Sequence, residues 1–217
     1  MTATTYRAFA DALRSQRVWD RALPGFDVSA VPEQPVALFH EWFVSAVEAG
    51  QEEPHTMTLA TVDAEGLPDV RTLMLHDADD NGWHFASHVT SAKGRQLAAR
   101  PGAALHFYWP AVARQIRVRG RVSAGGPGAI RSRGALAAAL TGRQSEVLDS
   151  VETLVRASET AWERAGAEPD AVAPTWTAYV LDPEEVEFFQ GDAMRRHVRL
   201  RYRRAASGGW TRELLWP

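Results

Sequence analysis

Between residues 55 and 122, apolar and polar residues alternate with a period of two in five short runs, and such runs joined by tight turns fold as antiparallel sheet. The runs are His55 to Val62, Asp69 to Leu75, Trp83 to Ser87, Ala103 to Trp109 and Arg114 to Val122. Asp63-Ala64-Glu65-Gly66 makes the first two a hairpin, and Asp79-Asp80-Asn81-Gly82 turns the chain into the third. Strands this close together predict a barrel or sandwich, not a parallel doubly wound sheet. One helix interrupts them, starting near Thr90-Ser91 and ending before Pro101.

The flanks follow a helical period. Leu38, Trp42 and Val47 share a face in the stretch from Pro35 to Gly50. After the glycine-rich break Gly125-Gly126-Pro127-Gly128, residues 134 to 165 are expected to be helical, with Leu148, Val151, Leu154 and Val155 on one face. Strands return at Trp176 to Val180, Glu185 to Phe189, Arg195 to Arg204 and Trp210 to Leu215. Residues 1–34, with Pro24, Gly25 and Pro32, read as a loose arm, poorly ordered or draped over a partner, and residues 35–217 as one domain.

The chain has no cysteine, which removes disulfides, thiolate nucleophiles and zinc or iron–sulfur ligation by thiolate. No metal site is expected. The mixed, charged start and the lack of any run of about 18 apolar residues support neither a signal peptide nor a membrane span, so the cytoplasm is the expected location. A net charge of -3 argues against a surface built for nucleic acid.

Two strands divide their faces unusually. Arg195, His197, Arg199, Arg201 and Arg203 fall on one side of the penultimate strand, and Gln115, Arg117, Arg119 and Arg121 oppose Ile116, Val118 and Val122. Each face taken singly is an ordinary solvated cationic surface. Repeated twice, the pattern suggests an anion site, because guanidinium geometry matches phosphate and carboxylate. A third feature, Thr90-Ser91-Ala92-Lys93-Gly94-Arg95, joins a strand to a helix; it is either plain capping or a phosphate cradle. Neither GxxxxGK[ST] nor GxGxxG is present, which disfavours a nucleoside triphosphate or a dinucleotide and leaves a compact phosphorylated cofactor. HExxH and GxSxG are missing as well.

Five ordered pieces resemble the pyridoxamine 5'-phosphate oxidase family: MTLATVDAEGLPDVRTLML, SHVTSAKGRQLAARPGAALHFYW, RQIRVRGRV, the RQS of the helical region, and VEFFQGDAMRRHVRLRY with its terminal GWTRELLWP. The resemblance runs from about Pro35 to Pro217 and implies an α+β, mainly antiparallel, FMN-binding split β-barrel with surrounding helices. It further implies a homodimer with FMN at the subunit interface. By motif, Arg71, Thr72, Leu73, Met74, Ser87, His88, Lys93, Gln115, Gln144, Ser145 and Arg199 would contact FMN. Arg195 and His197, the RxH element, would be catalytic and would bind substrate together with His76 and Arg131.

The chain departs from the family pattern at Ala92, where an arginine is usual, and at Phe189, where a tryptophan is usual. Of the positions that hold the substrate phosphate in the vitamin-pathway enzymes, matched to His76, Pro127, Arg131 and Ala135, only the arginine keeps its character. TSAKGRQL and GRQSE are closer in wording to the phenazine-biosynthetic oxidases. The favoured expectation is therefore an FMN-dependent oxidase of a small reduced nitrogen heterocycle in a specialised, phenazine-like pathway, with oxygen as acceptor. The alternatives are a pyridoxine or pyridoxamine 5'-phosphate oxidase of vitamin B6 metabolism, and a non-catalytic split barrel holding a flavin, deazaflavin or haem.

Overall fold

The computed structural model describes residues 3–130 and 132–217. Helices α1 (Ala3–Ser15), α2 (Pro35–Glu48), α3 (Ala92–Ala99), α4 (Arg133–Thr141) and α5 (Val151–Ala167) surround one antiparallel sheet. Its strands are β1 (Thr56–Val62), β2 (Pro68–Met74), β3 (Asp77–Asp79), β4 (Gly82–His88), β5 (Gly102–Trp109), β6 (Arg114–Pro127), β7 (Trp176–Gln190), β8 (Val198–Arg204) and β9 (Trp210–Leu215). The expected α+β, mainly antiparallel class is what the chain adopts.

The order across the sheet is β2-β1-β5-β6-β7-β4-β3, with β8 also on β7 and β9 on β8. Strand β7 is the point of division. Along one edge it pairs with β6 from Arg114↔Gln190 to Pro127↔Thr177. On its other edge, residues 176–181 pair with β4 and residues 185–190 with β8, so the sheet splits there. The register shifts at Arg119/Gly120, opposite Asp182 and Pro183. Pro183 donates no N–H, and a Cβ on Gly120 would sit 2.0 Å from the Asp182 carbonyl oxygen, so this close approach of two strands requires glycine.

Alternation places Ile116, Val118, Val186, Phe188, Leu105 and Phe107 in the interior. Helix α2, opened by Pro35 and ended where Gly50 takes φ +76°, packs Phe39 and Trp42 against them. The Phe39 ring lies 5.1 Å from Phe107 and 5.6 Å from Trp83, and Trp42 lies 5.2 Å from Phe188, in edge-to-face contacts.

Several expectations need correction. Val47 is exposed on α2, and Ala46 takes the buried position instead. The presumed break at Gly125-Gly126-Pro127 is the end of strand β6, because β7 continues to pair with it. Residues 134 to 165 are two helices separated by a loop that carries Gln144 and Ser145. Leu136 and Ala137 pack with Ala161 and Ala165, while Leu148, Val151, Leu154 and Val155 stay exposed. The two short strands expected after Trp176 are one. Arg195 is not in a strand: it takes φ +64° and donates its N–H to the Asp192 carbonyl, and β8 begins three residues later.

The N-terminal segment lies on its own chain. Phe26, Val28 and Val31 pack against the core, and the Tyr202 hydroxyl donates to the Pro32 carbonyl at 2.8 Å. Among the described residues no helix is long and apolar enough to cross a membrane.

Gly120→Ala is expected to lower the unfolding free energy by about 2 kcal/mol in urea denaturation, since backbone must move to admit the methyl group. Gly102→Ala, with open space around it, is expected to stay within about 0.5 kcal/mol of the parent.

Candidate functional site

The start of α3 is built by two short-range contacts. The Ser91 hydroxyl donates to the His88 carbonyl at 2.7 Å and accepts from the Gly94 N–H at 3.2 Å, closing the N-terminal cap. A Cβ on Gly94 would lie 2.4 Å from the Val89 carbonyl oxygen, so glycine lets the strand end and the helix start come together. Lys93 is thereby drawn under the helix start and left 7% exposed. Its Nζ donates to Gln144 Oε1 at 2.9 Å, and the Ser87 hydroxyl reaches the same oxygen at 3.3 Å. The Ala92 N–H donates to the Ser145 hydroxyl at 3.2 Å.

Arg71 stands beside this group on edge strand β2. It donates to Thr61 Oγ1 at 2.6 Å, to Gln96 Oε1 at 2.9 Å and to Asp69 Oδ2 at 2.5 Å. Burial holds the Lys93 ammonium below its ordinary pKa, and the Arg71 charge pushes in the same direction. Among the described residues no carboxylate forms an ion pair with Lys93. A buried ammonium at a helix start, with a neutral amide as its hydrogen-bond partner, makes a site that an anion would stabilise, although Arg71 beside it is already paired with Asp69.

Neighbouring positions in a strand face opposite ways, and this separates two expected contacts. Ser87 faces the cradle, whereas His88 turns to a cleft of about 460 Å³ under the 142–150 loop, lined also by Trp176, Gln144 and Leu154. His88 Nδ1 lies 2.8 Å from Thr175 Oγ1, and burial lowers its pKa. On β2, Thr72 and Met74 are exposed and Leu73 packs against the core.

A second cleft, of about 370 Å³, opens where β6, β7 and β8 lie side by side, with Gln115, Phe189 and Arg199 in its lining. His106 Nε2 is 3.2 Å from Gln115 Oε1. Glu187, nearly buried, accepts from Arg199 Nε at 2.7 Å and from Arg117 Nη2 at 2.5 Å. Hydrogen bonding to Glu187 raises the Arg199 pKa. The arginine faces read as an open anion site are in fact threaded by carboxylates. Glu185 reaches Arg117, Arg119 and Arg201, and Glu213 reaches Arg201. Strand β7 supplies acids at alternate positions directly between two arginine-bearing strands, a register not visible from either strand alone.

His197 adjoins this second cleft through Phe189, whose ring is 5.2 Å away, and Arg195 is linked to it by way of Trp19. The Asp192 N–H donates to His197 Nδ1 at 3.1 Å, which places the neutral ring's proton on Nε2. Trp19, from the N-terminal segment, closes over them. Its ring meets His197 edge-on at 4.7 Å, and the Arg195 guanidinium lies 5.4 Å from its centroid. Trp19 takes φ +59°, its Nε1 is buried without a hydrogen-bond partner, and a Cβ on Gly191 would lie 3.0 Å from its ring. Reasoning from sequence missed Trp19, since it sits in a segment without periodicity. His76 lies in the β2–β3 turn with its N–H donated to the His84 carbonyl at 2.8 Å. Arg131 falls outside the described residues.

Residues 43–190 match the family model described as pyridoxamine 5'-phosphate oxidase, and residues 176–217 match the pyridoxine 5'-phosphate oxidase C-terminal dimerisation region. The chain is 40% identical to the pyridoxine/pyridoxamine 5'-phosphate oxidase of Pseudomonas fluorescens (strain SBW25), over 97% of this chain and 99% of the relative. It superposes on PhzG from Burkholderia lata 383, solved in complex with tetrahydrophenazine-1-carboxylic acid, with a TM-score of 0.80 and 27% identity, covering 91% of this chain and 100% of that one. A pyridoxamine 5'-phosphate oxidase-related, FMN-binding protein from Nostoc punctiforme shares the fold at TM-score 0.66 and 20% identity, covering 82% and 97% of the two chains. The split antiparallel sheet and these matches agree: the chain belongs to the pyridoxamine 5'-phosphate oxidase family, and it is an FMN-dependent oxidoreductase.

Proposed function

We propose that two copies of this chain bind FMN between them and oxidise a flat, reduced, carboxylated nitrogen heterocycle, with oxygen as the electron acceptor. The observation that carries the substrate class is the cluster of Trp19, His197 and Arg195 beside the second cleft. It presents aromatic edges and one cation, the complement of a flat ring bearing a single carboxylate. The positions matched to phosphate recognition offer little. Pro127 ends β6 and Ala135 carries no hydroxyl in the first turn of α4. The likeness to PhzG supports the same reading.

The donors present fit FMN. Lys93, Arg71, Ser87, Ser145 and the start of α3 would hold its phosphate, with Gln144 bridging Lys93 and Ser87. Thr72, Leu73 and Met74 lie on a sheet edge whose backbone can meet a ligand. Gln115 and Arg199 would meet the ring from the second cleft. β2 stands three strands from β6 and five from β8 in the pairing order, which favours a site whose two halves come from different copies. The exposed Leu148, Val151, Leu154 and Val155 add apolar surface for a second copy to cover, and the match of residues 176–217 to a dimerisation region supports the homodimer.

When bound, FMN supplies the redox chemistry: a two-electron acceptor for a hydride leaving a carbon next to nitrogen, reoxidised afterwards by oxygen. The protein's share is to orient and to exclude water. Arg195 pairs with the substrate carboxylate, His197 offers its Nε2 proton as a donor, and Trp19 covers both.

The 40% identity to curated pyridoxine/pyridoxamine 5'-phosphate oxidases favours a second reading, in which those phosphates are the substrates. Steady-state oxidation separates the two. Turnover of pyridoxine 5'-phosphate is expected to have a kcat/KM at least about 100-fold below that of a reduced phenazine carboxylate, the cost of about 3 kcal/mol in missing phosphate contacts. Efficient oxidation of the vitamer, with a micromolar KM, decides for the second reading.

Lys93→Ala is expected to weaken FMN binding roughly 10- to 150-fold in a fluorescence titration, the range of a charge-assisted hydrogen bond. Arg164→Ala, which removes only a surface pair with Glu168, is expected to leave it unchanged. Sedimentation of the FMN-saturated protein is expected to show a dimer; a saturated monomer overturns the shared site.

A further inference from the structure

Glu187 is the most enclosed carboxylate of the sheet, with 8% of its side chain exposed, and it sits in the lining of the second cleft. Its two oxygens are divided: Oε1 accepts from Arg199 Nε at 2.7 Å, and Oε2 from Arg117 Nη2 at 2.5 Å. Arg199 is fixed at a second point, since its Nη1 donates to the Trp216 carbonyl at 2.8 Å. With Nε and Nη1 held, the guanidinium plane has one orientation beside Gln115 and Phe189.

The ladder around it is uneven. Arg117, Arg119, Arg199 and Arg201 are four cations, and Glu185, Glu187 and Glu213 are three anions. Of the three, Glu187 alone lines the cleft; Glu213 lies on β9 at the outer end, 44% exposed. Removing the inner negative charge leaves Arg199 without its carboxylate partner at the cleft wall and Arg117 with Glu185 alone. Removing the outer one changes a solvated pair. A carboxylate serving only to staple strands would not make that distinction.

We propose that Glu187 is a positioning residue that aims Arg199 into the cleft and sets the local charge there, and through that charge the reduction potential of bound FMN. The inference rests on the reading that this cleft receives the flavin ring. Reduction adds negative charge to a flavin, so net positive charge at the ring favours the reduced form.

The test is the midpoint potential of the FMN-loaded, full-length protein, measured anaerobically against a reference dye. Glu187→Gln is expected to favour reduced over oxidised FMN about tenfold, a positive shift of about 30 mV for a two-electron couple. Arg117→Gln, which removes a cation from the same wall at a more exposed position, is expected to shift the potential the other way. Glu213→Gln is expected to match the parent. Equal potentials for Glu187→Gln and Glu213→Gln overturn the proposal. If Glu187→Gln does not fold or retain FMN, Arg117→Gln decides: an unmoved potential overturns the proposal, and a negative shift supports it. FMN affinity of Arg199→Ala separates this from its premise. Unchanged affinity overturns the ring placement and the inference with it, whereas lost affinity with unmoved potentials in the other variants overturns the inference alone.

Discussion

Strand β7 and its bend against Gly120 are the constraint from which the rest of the structure follows. One edge of β7 is committed to β6 over its whole length, while the other changes partner from β4 to β8 at Asp182–Glu184. That change is possible because Pro183 brings no donor and Gly120 brings no side chain to a point where a Cβ would meet backbone oxygen at 2.0 Å. The first branch carries Ser87, which leads into the cap at Ser91 and the buried Lys93. The second carries Arg199, with Arg195 and His197 in the loop before it. The two groups of site residues therefore lie on separate arms of one sheet.

The two arms solve opposite electrostatic problems. Around Lys93 the chain buries a cation with a neutral amide as its hydrogen-bond partner, while the neighbouring Arg71 is paired with Asp69, an arrangement whose desolvation cost an incoming anion would relieve. Around Glu187 it buries an anion between two guanidiniums, so the charge is already compensated and the geometry is fixed before any ligand arrives. On the proposed reading, the first receives charge and the second presents a set amount of it. Trp19 joins the second group from a distant part of the chain. Its left-handed backbone and unpartnered indole N–H show that the segment is held there by packing against His197 and Gly191, not by local preference.

Local patterns were legible from the sequence where a physical period carried them. The two-residue alternation identified β1, β2, β4, β5 and β6, and with it the interior position of Ile116 and Val118. The Thr90–Gly94 segment declared both a helix start and a lysine beneath it. Resemblance to a family then linked Lys93 with Gln144 and Ser145, 51 residues apart in the case of Lys93 and Gln144, which no periodicity could do.

What the sequence by itself determined was the kind of element at each place and which side of it is apolar, because those depend on neighbours two to four residues apart. What the tertiary structure alone decided was pairing. It continued β6 through Gly125-Gly126-Pro127, since β7 lies beside it to satisfy its backbone. It left Leu154 exposed and buried Ala161, since α4 packs along that side of α5. It matched Glu185 and Glu187 to arginines on both flanking strands, turning two cationic faces into a compensated ladder. It laid Trp19 over His197. Each of these joins residues far apart in the chain, and their energy depends on distances that exist only once the sheet has closed around its core.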